Sequence, residues 1–131
     1  GVARVGKDEL LSLSDIVTIH LVMSDRTRGL IGDRELNLMK SSAYLVNTSR
    51  ASIIDEAALV DALKREVIRG AGIDVFSIEP LPVNHSLRRL DNAVLTGHTG
   101  YVTEENFTLG YREAVEDVLA WISGNTIRLL N

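Results

Sequence analysis

The chain of 131 residues contains no cysteine, which excludes disulfides and thiolate metal sites. It has only two prolines, so no proline-rich linker divides it. No apolar run approaches the roughly 20 residues that a helix needs to cross a bilayer. The amino-terminal stretch GVARVGKDELL also lacks the apolar core of a signal peptide. These absences predict a cytoplasmic protein with no membrane partner, and nothing in the sequence suggests a metal.

Neither an excess of positive charge nor a phosphate-binding glycine motif is present. The 14 basic and 18 acidic residues give a net charge of −4, so no electrostatic argument favours a nucleic-acid partner. A Gly-x-Gly-x-x-Gly turn after a strand would bind a pyrophosphate, and the chain has none. Its one Gly-x-Gly, from Gly70 to Gly72, comes before a strand rather than after it.

Four short segments rich in valine and isoleucine are separated by stretches with helical spacing. Their apolar residues are nearly continuous, which is typical of parallel strands buried on both faces. The predicted strands cover residues 15–21, 43–48, 71–76 and 93–96.

Helices are predicted between and after these strands. Residues 7–12 and 33–39 would form short helices, and residues 55–67 a longer one, with Asp55 as its N-cap and Gly70 as its stop signal. The last helix would start after Thr103 and end at Gly124. The order β-α-β-α-β-loop-β-α predicts an α/β fold with a parallel sheet flanked by helices.

Polar residues follow each predicted strand. The carboxyl ends of parallel strands meet at one edge of the sheet, where folds of this type bind ligands. We therefore expect residues that are distant in sequence to form one site at that edge. Its candidate members are His20, Thr48, Ser49, Arg50, Asp74, Glu79 and His98.

Each candidate also has an ordinary interpretation. Arg50 could pair with a carboxylate or phosphate, but it could equally be a surface arginine. His98 could transfer a proton near neutral pH, or it could be a hydrogen-bonded histidine at a strand end. Glu79 could stabilise an imidazolium or simply lie in a loop. Asp74, inside an apolar run, needs a partner, and a structural hydrogen bond to a neighbouring loop could supply it. His85 is interpreted as a residue of a solvated loop.

Three motifs in order, LVNTSRA, GAGIDVFSIEPLP and VLTGHTGYVTEEN, resemble the D-isomer-specific 2-hydroxyacid dehydrogenases. The resemblance implies that Arg50 binds the substrate carboxylate and keto oxygen, and that His98 exchanges a proton with the substrate. It also implies that Glu79 pairs with His98 and that Asp74 contacts the nicotinamide amide. Further cofactor contacts are implied for Thr48, Ser49, Arg50, His98 and Gly100.

The resemblance implies a partial Rossmann-type sheet, forming the C-terminal half of a dinucleotide-binding domain. Residues 1–102 would be the distal part of that NAD(P)-binding domain, and residues 103–131 a helix and tail returning towards a substrate domain. The cofactor would be NAD or NADP, with NAD favoured, and the substrate a small 2-hydroxy or 2-keto acid. One departure is Gly97, where the family usually carries proline.

The family's chains are about twice as long as this one, so the resemblance covers their C-terminal half. We therefore expect the 131 residues alone to be inactive, and to form a homo-oligomer or pair with the absent N-terminal half. One alternative is a non-catalytic NAD(H)-sensing or assembly module, as in corepressors that share this fold. Another is a structural remnant that binds no ligand.

Overall fold

The computed structural model describes residues 2–130, which form two compact units. The first runs through His98 and contains a parallel sheet of four strands in the order β1-β2-β3-β4. The strands are β1 (Ile16–Ile19), β2 (Tyr44–Asn47), β3 (Gly70–Ile73) and β4 (Ala93–Leu95). The helices of this unit are α1 (Lys7–Leu13), α2 (Asp33–Leu38) and α3 (Glu56–Lys64), together with two 3-10 helices, Ala51–Ile53 and Ser86–Arg89. This is the α/β architecture that the sequence predicts.

Only one face of the sheet is buried, which corrects the prediction of burial on both faces. Strand residues such as Val17 and Leu45 form a core with α1, α2 and α3. On the opposite face, Ile16 and Val94 remain 65% and 70% exposed. Side chains alternate between the two faces of a strand. Within residues 2–130, the helices cover only one of those faces. A continuous apolar run in the sequence therefore does not imply that both faces of the strand are buried.

Helix α3 begins as predicted but ends earlier. The Asp55 side chain accepts a hydrogen bond from the Ala58 amide at 3.1 Å, which caps the helix. Glu66 adopts the left-handed conformation (φ 55°) after the helix, so Gly70 is not the stop signal. Gly70 instead begins β3, where a Cβ would lie 2.7 Å from the carbonyl oxygen of Asn92. Glycine is therefore required there by a close backbone approach.

The second unit starts at Thr99 and contains the helix α4 (Glu104–Ile122). Its predicted ends are confirmed, because Thr103 accepts a hydrogen bond from the Asn106 amide and Gly124 has a positive φ of 75°. No residue of α4 is buried among those that the structure describes. In the described chain, no helix is both long enough and apolar enough to cross a membrane.

Candidate active site

The sheet register places the predicted site residues at one edge. Ile19, Asn47, Ile73 and Leu95 lie side by side at the carboxyl ends of the four strands. The Asp74 amide continues the pairing by donating to the Asn47 carbonyl at 3.0 Å. Residues that directly follow these positions are therefore neighbours in space although they are far apart in sequence.

A tight turn after β2 carries Thr48, Ser49 and Arg50. The Asn47 side chain is 1% exposed and bonds to this turn at both ends. Its Oδ1 accepts from the Ser49 amide at 3.0 Å, and its Nδ2 donates to the Arg50 carbonyl at 3.0 Å. Because a buried amide needs partners for both groups, Asn47 determines the path of the turn. Sequence reasoning missed Asn47, although an asparagine at a strand end is a known turn signal.

Arg50 lies on the surface at the end of this turn, just before the 3-10 helix Ala51–Ile53. Its Nη1 donates to the Ser49 carbonyl at 2.7 Å. The Ser49 hydroxyl in turn donates to the Leu21 carbonyl, which ties the turn to the segment after β1. The guanidinium is therefore exposed at the edge of the sheet, on a backbone that hydrogen bonds hold in place.

Asp74 follows β3 directly and is 3% exposed. One carboxylate oxygen, Oδ1, accepts a short hydrogen bond from the Thr96 hydroxyl beyond β4. The Thr96 amide donates to the Ile73 carbonyl at 3.1 Å, so the two strand ends are joined by backbone as well. A buried carboxylate is thus held at the carboxyl edge of the sheet, beside the strand that leads to His98.

Glu79 and His98 form a pair at this edge. The His98 Nδ1 lies 2.8 Å from the Glu79 Oε2, and the Phe76 amide donates to the Glu79 Oε1 at 2.8 Å. These two hydrogen bonds, from His98 first and Phe76 second, lower the pKa of Glu79 below its ordinary value of 4.5. An ionised carboxylate can only accept, so His98 carries a proton on Nδ1.

His98 has an unusual backbone conformation. Its φ is 58°, in the left-handed region that costs most residues energy. Strained conformations of this kind persist where neighbouring structure holds them, and they cluster at functional sites. Gly97 precedes it, and a Cβ at Gly97 would meet nothing within 4 Å. In this conformation the His98 side chain meets Glu79 through Nδ1.

The other two histidines have local partners of their own. His20 is exposed and hydrogen-bonds to the Thr18 hydroxyl at 2.9 Å. His85 is half-buried and caps the 3-10 helix Ser86–Arg89, so the prediction of a solvated loop residue is wrong. Its Nε2 lies 3.0 Å from the Glu56 Oε1, a partner 29 positions away that local sequence could not indicate.

The structure therefore brings Glu79 and His98 into contact and places Arg50 and Asp74 on the neighbouring strand ends. Thr48 and Ser49 lie in the turn beside them. Gly100 falls in the second unit, and its role stays a prediction. The arrangement offers a cation for a carboxylate and, for proton transfer, an imidazole hydrogen-bonded to a carboxylate, both at a solvent-accessible edge.

Comparison with known proteins is consistent with this chemistry. A sequence profile described as "D-isomer specific 2-hydroxyacid dehydrogenase, NAD binding domain" matches residues 1–100. The chain belongs to this family. Its similarity to a glyoxylate reductase of Aeropyrum pernix is 45% identity over 117 residues, which is 89% of this chain and 35% of that protein. This dehydrogenase-family chain thus spans about a third of the length of that curated relative.

Solved structures of dehydrogenases share its fold. A D-lactate dehydrogenase from Sporolactobacillus superposes with a TM-score of 0.86 at 34% identity, covering 97% of this chain and 42% of that one. A D-isomer-specific 2-hydroxyacid dehydrogenase from Lactobacillus delbrueckii ssp. bulgaricus, in its NAD-complexed form, gives 0.78 at 30% identity, covering 95% and 42%. The Rossmann-type character of the partial sheet is confirmed.

The residues at the sheet edge fit one end of a nicotinamide dinucleotide. Asp74 presents a buried carboxylate, an acceptor suited to a carboxamide N–H. Thr48 adds an exposed hydroxyl one strand away. No Gly-x-Gly-x-x-Gly turn follows any strand among the described residues, so these residues do not include a pyrophosphate site of the usual kind. A buried acceptor beside an exposed hydroxyl fits a group that carries a carboxamide, as the nicotinamide end of the cofactor does.

Proposed function

We propose that this chain supplies the acid–base and substrate-binding residues of an NAD(H)-dependent reductase for small 2-keto acids, of which glyoxylate is the simplest. The contact between the His98 Nδ1 and the Glu79 Oε2, 2.8 Å at the carboxyl edge of the sheet, is the observation that carries the proposal. An imidazolium held by a carboxylate is an acid suited to proton transfer near neutral pH. The names of the relatives as reductases and dehydrogenases support the same reaction class.

His98 acts as the acid in our scheme. The Nδ1–H of His98 is engaged in the hydrogen bond to Glu79. The proton that goes to the substrate oxygen is therefore the one on Nε2. The Glu79 charge favours the imidazolium until that proton is transferred, and it stabilises the positive ring again after reprotonation. In the reverse direction the neutral ring accepts the proton of the hydroxy acid through the same nitrogen.

Arg50 binds the substrate carboxylate in our scheme. The strand that leads to Arg50, β2, and the strand that leads to His98, β4, are separated by one strand. Two strand spacings amount to about 10 Å. The ends of the two strands are thus close enough for side chains that follow them to reach one small substrate.

Asp74, with Thr48 and Ser49, orients the nicotinamide end of the cofactor. The cofactor supplies a hydride to the carbonyl carbon when it is bound. The Thr96 hydroxyl holds the Asp74 Oδ1, so the carboxylate can only rotate if that hydrogen bond breaks. The chain's own part is to fix the acceptor against which a carboxamide would be placed.

We propose that the 131 residues do not turn over by themselves, because they lack a glycine-rich phosphate turn. We further propose a cytoplasmic protein that assembles with another copy or with the N-terminal half of such an enzyme. A sensing module without catalysis is the less favoured alternative. The Glu79–His98 hydrogen bond at a solvent-accessible edge favours chemistry over sensing alone.

A chimaera tests the proposal. The 117-residue stretch of the Aeropyrum pernix reductase that this chain matches would be replaced by the chain's own residues. We expect NADH-dependent reduction of glyoxylate, lost in Arg50→Gln and retained in a matched Arg89→Gln variant. Circular dichroism and NADH fluorescence would verify folding and cofactor binding. A folded chimaera that binds NADH without reducing glyoxylate would contradict the proposal and favour a sensing role.

A further inference from the structure

The loop between β3 and the 3-10 helix Ser86–Arg89 carries Glu79, and an arginine holds its far side. The Arg88 Nη2 donates to the Leu81 carbonyl at 2.8 Å, and its Nε donates to the Pro82 carbonyl at 3.0 Å. Both acceptors lie within three residues of Glu79. One guanidinium thus bonds to two successive carbonyls next to the proposed acid–base pair.

The base of this arginine is itself fixed. Leu87, the preceding residue, is 1% exposed and belongs to the core, and the 3-10 helix contacts β4. Strand β4 leads directly to His98. The 3-10 helix therefore contacts β4, the strand that leads to His98. Through the Arg88 side chain it also reaches the loop that carries Glu79.

Glu79 and Arg88 also face the same space. A cavity of about 280 Å³ is lined by both, together with Phe76, Leu81, Leu95 and Gly97. The loop is not packed solidly against the end of β4, since this cavity lies between them. Hydrogen bonds therefore help to define where the loop, and Glu79 with it, comes to rest, alongside the burial of Leu81.

We infer that Arg88 is a positioning residue that holds the loop after Glu79 so that the carboxylate meets the His98 Nδ1. The inference rests on the proposed function, since it assigns a purpose to the Glu79–His98 contact. Arg88 does not touch the pair itself. Its planar guanidinium suits the task because two N–H groups diverge towards two acceptors, a geometry that a lysine ammonium does not reproduce.

Other contacts also restrain the loop. Leu81 is buried in the core, and the His85 amide donates to the Pro82 carbonyl at 3.1 Å. Loss of Arg88 is therefore expected to displace Glu79 without unfolding the chain. Arg89, exposed on the same short helix, offers a matched control that alters one positive charge and leaves these two hydrogen bonds intact.

The experiment is an NMR titration of the Glu79 carboxyl group in the 131-residue chain, using a carbon-detected side-chain signal. His98→Ala, which leaves no side-chain donor at this position, provides the reference for complete loss of the pair. We expect both Arg88→Ala and Arg88→Lys to raise the pKa of Glu79 towards its ordinary 4.5. The increase should be at least half of the increase in the Glu79 pKa that the His98 reference variant shows. Arg89→Ala should leave the Glu79 titration unchanged.

Three outcomes would overturn the inference or its basis. An unchanged Glu79 titration in both Arg88 variants would show that Arg88 does not position the loop. A change in Arg88→Ala but not in Arg88→Lys would assign the effect to charge rather than geometry, which also overturns it. If His98→Ala itself leaves the Glu79 titration unchanged, the pair is not formed in solution, and the proposed function fails separately. The NMR signals of His85 report whether the 3-10 helix Ser86–Arg89 is intact. If Arg88→Ala disturbs those signals, the titration of Arg88→Lys is the one that tests the inference.

Discussion

Among the described residues, 2–130, two histidine–glutamate pairs occur, and they use different ring nitrogens. His98 meets Glu79 through Nδ1 at 2.8 Å, whereas His85 meets Glu56 through Nε2 at 3.0 Å. The Leu87 amide donates to the Nδ1 of His85, so the proton of that ring is on Nε2. His85 therefore uses one nitrogen to cap a short helix and the other to pair with a helix residue.

Backbone conformation separates the pairs as well. His85 has an ordinary φ of −62°, while His98 has a φ of 58°. The first histidine joins α3 to the 3-10 helix and strengthens the fold. The second occupies a left-handed position at the carboxyl edge of the sheet, where it meets Glu79. The comparison teaches that a histidine–carboxylate contact acquires a catalytic meaning only from its place in the fold.

The largest expected difference between the two pairs is in catalysis. In the chimaera described above, we expect His98→Gln to lower kcat by about 10²- to 10⁴-fold, the usual contribution of general acid catalysis. His85→Gln should leave kcat close to that of the unmutated chimaera. Steady-state kinetics with glyoxylate and NADH would measure both. Equal losses in the two variants would remove the distinction between a catalytic and a structural pair.

For stability the order should be reversed, with the His85–Glu56 pair contributing more to the free energy of unfolding than the His98–Glu79 pair. His85→Gly deletes a helix cap and a half-buried contact, and we expect it to lower the free energy of unfolding by about 1 to 2 kcal/mol. His98→Gly deletes an exposed pair but relieves a left-handed conformation costing about 1 kcal/mol or more, so we expect little net loss. Urea denaturation of both variants, compared with the parent chain, would measure the difference. A larger loss for His98→Gly would contradict this assignment.

The smallest effect concerns acid stability. Because the folded pKa of Glu79 lies below 4.5, its ionised form stabilises the fold above about that pH. This contribution is lost as the pH falls through the folded pKa. Glu79→Gln should therefore be less stable than the parent at neutral pH and should lose less stability on acidification from about pH 5 to about pH 3. The urea concentration at the midpoint of unfolding, measured as a function of pH, would show this difference. Glu56→Gln would be measured in the same way for comparison. Parallel curves for Glu79→Gln and the parent would refute the linkage.

The sequence predicted the elements of this fold well where local chemistry decides them. Asp55 and Thr103 cap their helices as their side chains indicate. The failures occurred where distant residues decide. The sequence could not show which face of the sheet the helices would cover, nor that Glu56 would come to lie beside His85.

The site divides in the same way. Arg50, Asp74, Glu79 and His98 were all predicted from strand ends and from motifs. The inward-pointing Asn47, which shapes the Arg50 turn, was not. Nor was Arg88, which bonds to carbonyls six and seven positions earlier in the chain. Asn47 lies at a strand end, where asparagine is a known turn signal, whereas no local pattern in the sequence marks the carbonyls that Arg88 meets.

By itself, the sequence determined that this chain would form parallel strands joined by helices, because apolar runs and capping residues act over a few neighbouring positions. It also determined the family, through three motifs in order. Only the tertiary structure decided which ring nitrogen each histidine offers its carboxylate. That choice depends on partners 19 and 29 positions away, which meet only when the strands and helices have packed.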